Sequence, residues 1–163
     1  MMNRTIMSAM PADKEEILAL YKSQIGQEYC AWNEHYPDLQ EIEMDLSYDS
    51  LFVMKQDNGE IIAAISIDHD EQVEQLACWD PDLAPGGELA RLAVKTAYQT
   101  QGIARQMIFY AMERLKERDY HSVHYLVNKY NEKALRSYRH LGLDEVGKCD
   151  LYEQEFLCFE KEL

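Results

Sequence analysis

The chain has 163 residues, 47% of them apolar and 28% charged, enough for one compact domain with a real core and too few for two of ordinary size. It carries 30 acidic residues against 16 basic ones, a net charge of −14, which argues against nucleic acid as a partner because a binder of phosphate backbones needs a basic footprint. The longest apolar run, Ile61-Ile62-Ala63-Ala64-Ile65, suits a buried strand and falls far short of the roughly 20 residues of a membrane span.

The N-terminus, MMNRTIMSAM, lacks the basic start and apolar segment of a secretory signal. The four cysteines, Cys30, Cys78, Cys149 and Cys158, form no C-x-x-C pair and no metal-ligand spacing. Free thiols and a cytoplasmic location are therefore expected, with no membrane partner. The acidic surface would favour cationic substrates such as amines, yet it repels any anionic cofactor, which local donors would have to hold.

In chain order, Arg4–Ser8 reads as a short first strand. Residues 13–24 carry Ile17, Leu18, Leu20 and Tyr21 at helical spacing, with acids early in the segment, as a helix N-terminus prefers. Residues 38–46 make a second, shorter helix. The apolar runs 51–54 and 61–67 flank Asn58-Gly59, the strongest short-range signal of a β-hairpin. From Asp68 to Gly87 the sequence is acidic and broken by Pro81, Pro85, Gly86 and Gly87, which predicts an irregular excursion. A central strand follows over 88–94, then a turn, then a long helix over 102–118 with Ile103, Met107, Ile108, Ala111 and Leu115 on one face. Residues 121–127 read as a strand. Asn131 to Leu141 is a helix capped by Asn and stopped by Gly142, and 143–148 and 156–161 are two last strands. The expected fold class is mixed α/β: one domain over residues 1–163, with a mostly antiparallel sheet, flanking helices, and one parallel pair made by the strand–helix–strand unit.

Between the central strand and the long helix lies Gln99-Thr100-Gln101-Gly102-Ile103-Ala104. A helix N-terminus presents unpaired backbone N–H groups and the positive end of its dipole, an anion site that needs no Lys or Arg. Gly102 and Ala104 keep the approach of a phosphate open, which answers the difficulty set by the charge of −14. A string of this kind is also a common strand-to-helix turn, and geometry alone accounts for its glycine.

The run from Arg91 to Ala104, Arg-Leu-Ala-Val-Lys-Thr-Ala-Tyr-Gln-Thr-Gln-Gly-Ile-Ala, resembles the acetyl-CoA-binding motif of the GNAT superfamily, an L-x-V strand followed by R/Q-x-x-G-x-G/A at a helix start. Asn131 to Leu143 is similar to the family's second motif, N-x-x-A-x-x-x-Y-x-x-x-G-F, with Leu143 in place of the Phe and Thr96 of the first motif in place of a frequent Pro. The resemblance implies a GNAT acyltransferase fold and acetyl-CoA as cosubstrate. It places pantetheine along Leu92, Ala93 and Val94, and the pyrophosphate on the amides of Gln99, Thr100, Gln101, Gly102, Ile103, Ala104 and Arg105. Asn131 would contact the pantetheine or bridging region, and Tyr138 would protonate the departing thiolate. Both also have plain structural readings, Asn131 as a helix cap and Tyr138 as a core tyrosine beside Ala134, Leu135 and Leu141.

Acetyl transfer to an amine requires a neutral amine, a stabilised oxyanion and a protonated leaving group. An alkylamine with the pKa of lysine is neutral in only about one molecule in a few thousand at pH 7, so a positioned base is useful. Glu88 at the start of the central strand is the first candidate, with Asp68, His69 and Asp70 as others, and Glu88 reads equally as a solvated strand-end acid. Val94 is the candidate oxyanion donor through its backbone N–H. Trp32, His35 and Tyr36, around Pro37, either wall the acceptor pocket or pack on the sheet. No cysteine is arranged with a His and an acid as a nucleophile, which favours direct transfer in a ternary complex. The expected acceptor is a small-molecule amine; a protein or peptide amine, and a non-catalytic acyl-CoA-binding role, are the alternatives. A dinucleotide fold would want G-x-G-x-x-G after an early strand, which is missing. A homodimer through the C-terminal strands is compatible with all of this.

Overall fold

The structure, a computed structural model, describes Asn3–Leu163. It has seven strands, β1 (Arg4–Ser8), β2 (Leu51–Gln56), β3 (Ile61–Asp68), β4 (Gly86–Val94), β5 (Ser122–Asn128), β6 (Asp144–Leu151) and β7 (Gln154–Glu162). The helices are α1 (Lys14–Ser23), α2 (Leu39–Ser47), the single turn α3 (Glu71–Glu74), α4 (Ile103–Glu117) and α5 (Glu132–His140). The strands form one sheet in the order β1-β2-β3-β4-β5-β7-β6. Pairing is antiparallel for β1 with β2, β2 with β3, β5 with β7 and β6 with β7, and parallel for β4 with β5, as the strand–helix–strand pattern requires. The chain divides into two compact units, one made of the residues up to Asp68 with Arg91–Ala111, the other of His69–Ala90 with Met112–Leu163.

In the first unit, the β2–β3 hairpin forms because Gly59 takes φ +89°, which its missing Cβ allows, and Glu60 N–H donates to Asn58 Oδ1 at 2.9 Å. The strands are almost wholly apolar and buried from Leu51 to Met54 and from Ile61 to Ile65, as strands covered on both faces are. α1 contributes Ile17, Leu20 and Tyr21 and α2 contributes Ile42, and these pack with Leu51, Val53, Ile61, Ala64 and Ala93. Each such large side chain contributes roughly 2 kcal/mol by leaving water. α2 starts on a capping box: Asp38 accepts from Leu39 N–H at 2.8 Å, and Glu41 Oε2 accepts from Asp38 N–H at 2.9 Å.

In the second unit, β5 pairs with β7 from Ser122↔Glu162 to Asn128↔Phe156. α5 is capped by Asn131, whose Oδ1 accepts from Ala134 N–H at 3.1 Å, and ends at Gly142 with φ +83°. The segment expected to be irregular, 68–87, holds one helical turn and a 3-10 turn at Pro81–Leu83, and its Val73 is buried.

Candidate active site

β4 pairs with β5 over Gly86–Glu88 against Ser122–His124, while β5 pairs with β7 along its whole length, from Ser122 to Asn128. Arg91, mid-strand, has φ +50°, a left-handed conformation that costs a non-glycine residue about 1 kcal/mol or more and persists only where its surroundings hold it.

Those surroundings are polar. Arg91 is 7% exposed, and its Nε and Nη2 donate to the two oxygens of Asp45 at 3.1 and 2.8 Å. Nη1 donates to Asp68 Oδ2 at 3.2 Å and to the Tyr36 hydroxyl at 3.1 Å, and Nη2 lies 3.1 Å from Asp68 Oδ1. The guanidinium thus donates to two carboxylates and one phenol through four of its five N–H groups, and its Nη2 makes a further ion-pair contact with Asp68. Asp45 also accepts from Ser66 Oγ at 2.7 Å. Burial opposes the Arg91 charge, but Asp45, Tyr36 and Asp68 outweigh it and hold the guanidinium well above its ordinary pKa. Burial pushes the Asp45 carboxyl up while Arg91 pulls it back. Tyr36 is 41% exposed over its whole side chain, yet burial at its hydroxyl end pushes its pKa up. One cation between two carboxylates leaves this place net negative.

After Val94 the chain turns and enters α4. Val94 C=O accepts from Gln24 Nε2 at 3.2 Å and from Gln99 Nε2 at 3.1 Å, and Gln27 Nε2 donates to Thr96 Oγ1 at 2.7 Å. The end of α1 therefore braces the turn, and the Tyr98 hydroxyl accepts from Gln56 Nε2 at 2.8 Å. Gln99 N–H is engaged within the turn, on Thr96 C=O at 3.3 Å, so the donors open to an anion begin after it. Thr100 and Gly102 stand at φ +65° and +79°, and a Cβ on Gly102 would meet nothing within 4 Å. Gln106 N–H makes the return bond to Gly102 C=O at 3.2 Å; helix geometry leaves the amides of Ile103, Ala104 and Arg105 without an intrahelical acceptor. Open space over a glycine beside such amides, at the positive end of a 15-residue helix, fits a pyrophosphate.

In the second unit, Glu88 is 7% exposed and stands opposite His124 in the β4–β5 register, so it is a buried carboxyl and not a solvated strand end. Asn131 serves as the α5 cap. Tyr138 is 5% exposed, its ring 4.6 Å from that of Tyr125 and 6.3 Å from that of Phe159. Burial, then the neighbouring and hydrogen-bonded Tyr125, hold the Tyr138 hydroxyl well above its ordinary pKa, so it stays protonated. Asp70 is taken up by structure: it caps α3 through Gln72 N–H and accepts from the Tyr152 hydroxyl.

Within the first unit the structure thus joins Leu92–Val94 to the 99–105 turn, and joins Tyr36 to Asp68 through Arg91. Trp32 packs edge-on against Tyr21 at 5.4 Å, and His35 is exposed. Among the described residues no group of three or more His, Cys, Asp or Glu side chains could hold a metal ion. No helix among them is long and apolar enough to cross a membrane.

Residues 17–143 match the Acetyltransferase (GNAT) family. The chain belongs to that family. It is an acetyl-CoA-dependent acyltransferase, as the family is. GNAT structures resemble it over nearly its whole length: an acetyltransferase from Listeria monocytogenes, at TM-score 0.80 and 20% identity, covers 98% of this chain and 95% of its own. The ribosomal-protein-S18-alanine N-acetyltransferase from Escherichia coli follows at TM-score 0.73 and 17% identity, over 98% and 94%. A putative acetyltransferase from Salmonella typhimurium, solved with its cofactor acetyl-CoA, has TM-score 0.74 and 16% identity, over 99% and 94%. No curated protein matches the chain.

Arg91, Asp45 and Tyr125 had no role in the sequence reading. The one signal was a charged residue inside an apolar strand, since a buried Arg requires a carboxylate somewhere.

His124 gives this GNAT chain an acid-sensitive spot. It is 2% exposed, stacked on Trp79 at 4.5 Å, and burial lowers its pKa to about 4. The unfolded chain takes up this proton below pH of about 6.5, whereas the folded chain refuses it until about 4. Stability from His124 is therefore complete above pH 6.5 and lost as pH falls towards 4, by about 3 kcal/mol in all. Glu160 and Asp45, both raised by burial, act in the opposite sense as pH falls, so the difference between proteins isolates His124. In urea unfolding at pH 7.5 and pH 5, His124→Leu is expected to lose distinctly less stability than the wild type, and parallel losses would refute it.

Proposed function

We propose that the protein transfers the acetyl group of acetyl-CoA to the primary amine of a small cationic molecule, directly and within a ternary complex. The observation that carries this reading is the continuous strand–turn–helix of Leu92 to Arg105, with its brace from α1 and its open glycine at the α4 N-terminus. Acetyl-CoA supplies an acetyl group activated as a thioester. The amides of Thr100–Arg105 hold its pyrophosphate, Leu92, Ala93 and Val94 pair with the pantetheine, and Val94 N–H is the oxyanion donor. Asn131 adds a contact to the cofactor beside its role as a cap. Tyr138 gives its proton to the thiolate, and Glu88 takes one from the amine.

The acceptor is cationic because Asp45 and Asp68 exceed the charge of Arg91 and because the half-exposed Tyr36 ring suits a cation–π contact. With its guanidinium taken up by Asp45, Asp68 and Tyr36, Arg91 is poorly placed to receive a substrate carboxylate. Polyamines and other amines lacking an α-carboxylate should therefore outperform amino acids. β6, at the edge of the sheet with Val146 exposed, is the proposed face of a homodimer.

A thiol-release assay tests the reading: purified protein, acetyl-CoA, and a panel of polyamines, aminoglycosides, amino acids and short peptides. Amine-dependent CoA release led by the polycations supports it. Release with peptides alone would move the acceptor to a protein terminus, and binding of acetyl-CoA without CoA release on any amine would leave a non-catalytic binder.

A further inference from the structure

Three of the four cysteines, far apart in sequence, meet in the second unit. Cys158 is fully buried on β7, and its Sγ lies 3.9 Å from Sγ of Cys149 on β6. Cys78, half-buried in the segment after α3, lies close enough to Cys158 to influence its thiol. The β6–β7 register explains how a third thiol fits. Cys158 stands directly opposite Gly147, next to a bulge in β6, and Cys149 is only its diagonal neighbour. A Cβ on Gly147 would lie 2.6 Å from Cys78 Cβ and 3.4 Å from Cys78 Sγ. Cys78 therefore fills the space that a side chain at 147 would occupy, and faces Cys158 as a cross-strand partner would.

That placement favours one bond over the other. Side chains directly opposed across antiparallel strands have Cβ atoms about 5 Å apart, within a small movement of the roughly 4 Å a disulfide needs. Diagonal neighbours stand farther apart at the backbone, near or beyond the limit for bridging. The neighbours also restrain Cys78: Trp79, next in sequence, stacks on His124, and Asp80 N–H donates to Glu160 Oε1 at 3.1 Å on β7. Cys78 is the accessible thiol of the pair, and burial keeps Cys158 protonated.

We propose that Cys78 and Cys158 are a thiol-modification site that closes to a disulfide by exchange with small-molecule disulfides of the glutathione class. The Cys78 thiolate attacks one sulfur of RSSR, forming Cys78–S–S–R and releasing RS⁻. The Cys158 thiol then gives up its proton, its thiolate attacks the Cys78 sulfur and displaces RS⁻, and RS⁻ takes up that proton and leaves as RSH. In sum, two cysteine thiols are oxidised by two electrons and one RSSR is reduced to two RSH. The bond ties residues 78–80 to β7, and it closes a long loop of chain.

The test is incubation of the wild-type protein with glutathione disulfide, followed by alkylation and peptide mapping without reductant. A protein lighter by about 2 Da, with Cys78 joined to Cys158 and with Cys30 and Cys149 alkylated, is the expected result. Its Tm should exceed that of the reduced protein by roughly 5 °C. Cys158→Ser should stop at a single glutathionyl adduct on Cys78. Gly147→Ala, which displaces Cys78, should slow closure at least about tenfold. Four alkylatable thiols after incubation, or a bridge from Cys149 to Cys158, would overturn the proposal on the wild-type protein alone.

Discussion

Tyr138→Phe is expected to lower the rate of amine-dependent CoA release by about a hundredfold, with the affinity for acetyl-CoA nearly unchanged. General acid catalysis by a positioned side chain contributes about 10²–10⁴ in rate, so the figure lies at the low end of that range. The substitution removes one hydroxyl and leaves the ring against Tyr125 and Phe159. It forfeits one hydrogen bond with Tyr125, about 1 kcal/mol of stability, and little packing. A folded variant with a lost rate therefore reports on chemistry. Initial rates at saturating acetyl-CoA and amine check it, beside a melting curve. An unchanged rate would make Tyr138 a core tyrosine, the plain reading that its burial also fits.

The second large effect falls on stability. Asp45→Ala is expected to cost about 3 kcal/mol, because it leaves the Arg91 guanidinium buried with half its carboxylate partners. It also strips Ser66 Oγ of its acceptor. Asp68 remains in contact, which keeps the cost from the upper end of the range for a broken buried pair. For a chain of this length the loss corresponds to a Tm lower by roughly 10 °C. The double variant Asp45→Leu with Arg91→Met should recover part of it, since it removes the buried orphan cation and leaves only the more exposed Asp68 without its partner. A drop below about 2 °C in Asp45→Ala would show that Arg91 is held by other means.

The parts of this molecule legible in the sequence are those set by local chemistry. Asn58-Gly59 marks a hairpin because only that backbone conformation closes it, and Asn131 and Gly142 bound α5 because a cap and a left-handed stop are short-range requirements. The Gln99–Ala104 turn is legible for the same reason. Arg91 is the contrary case: its partners Asp45, Tyr36 and Asp68 lie 46, 55 and 23 residues away, and on α2 Asp45 looks like any solvated acid. The thiols behave likewise, since no spacing between Cys78 and Cys158 tells that a bulge and a glycine on β6 bring them together. Glu88 lies between the two cases. Its place at the start of β4 was legible, while its burial depends on the segment 69–90 packing as it does.

The central claim is that the α4 N-terminus holds acetyl-CoA, and calorimetric titration of acetyl-CoA into the wild type and Gly102→Glu tests it most directly. Gly102 has φ +79° and open space around it, so a Glu there costs about 1 kcal/mol or more of backbone strain and projects its carboxylate where the phosphates are expected, and a melting curve checks that the variant stays folded. Saturable one-to-one binding to the wild type, weakened at least about tenfold in the variant, is the predicted result. Equal affinity in the two proteins, or no binding to the wild type, would contradict the account.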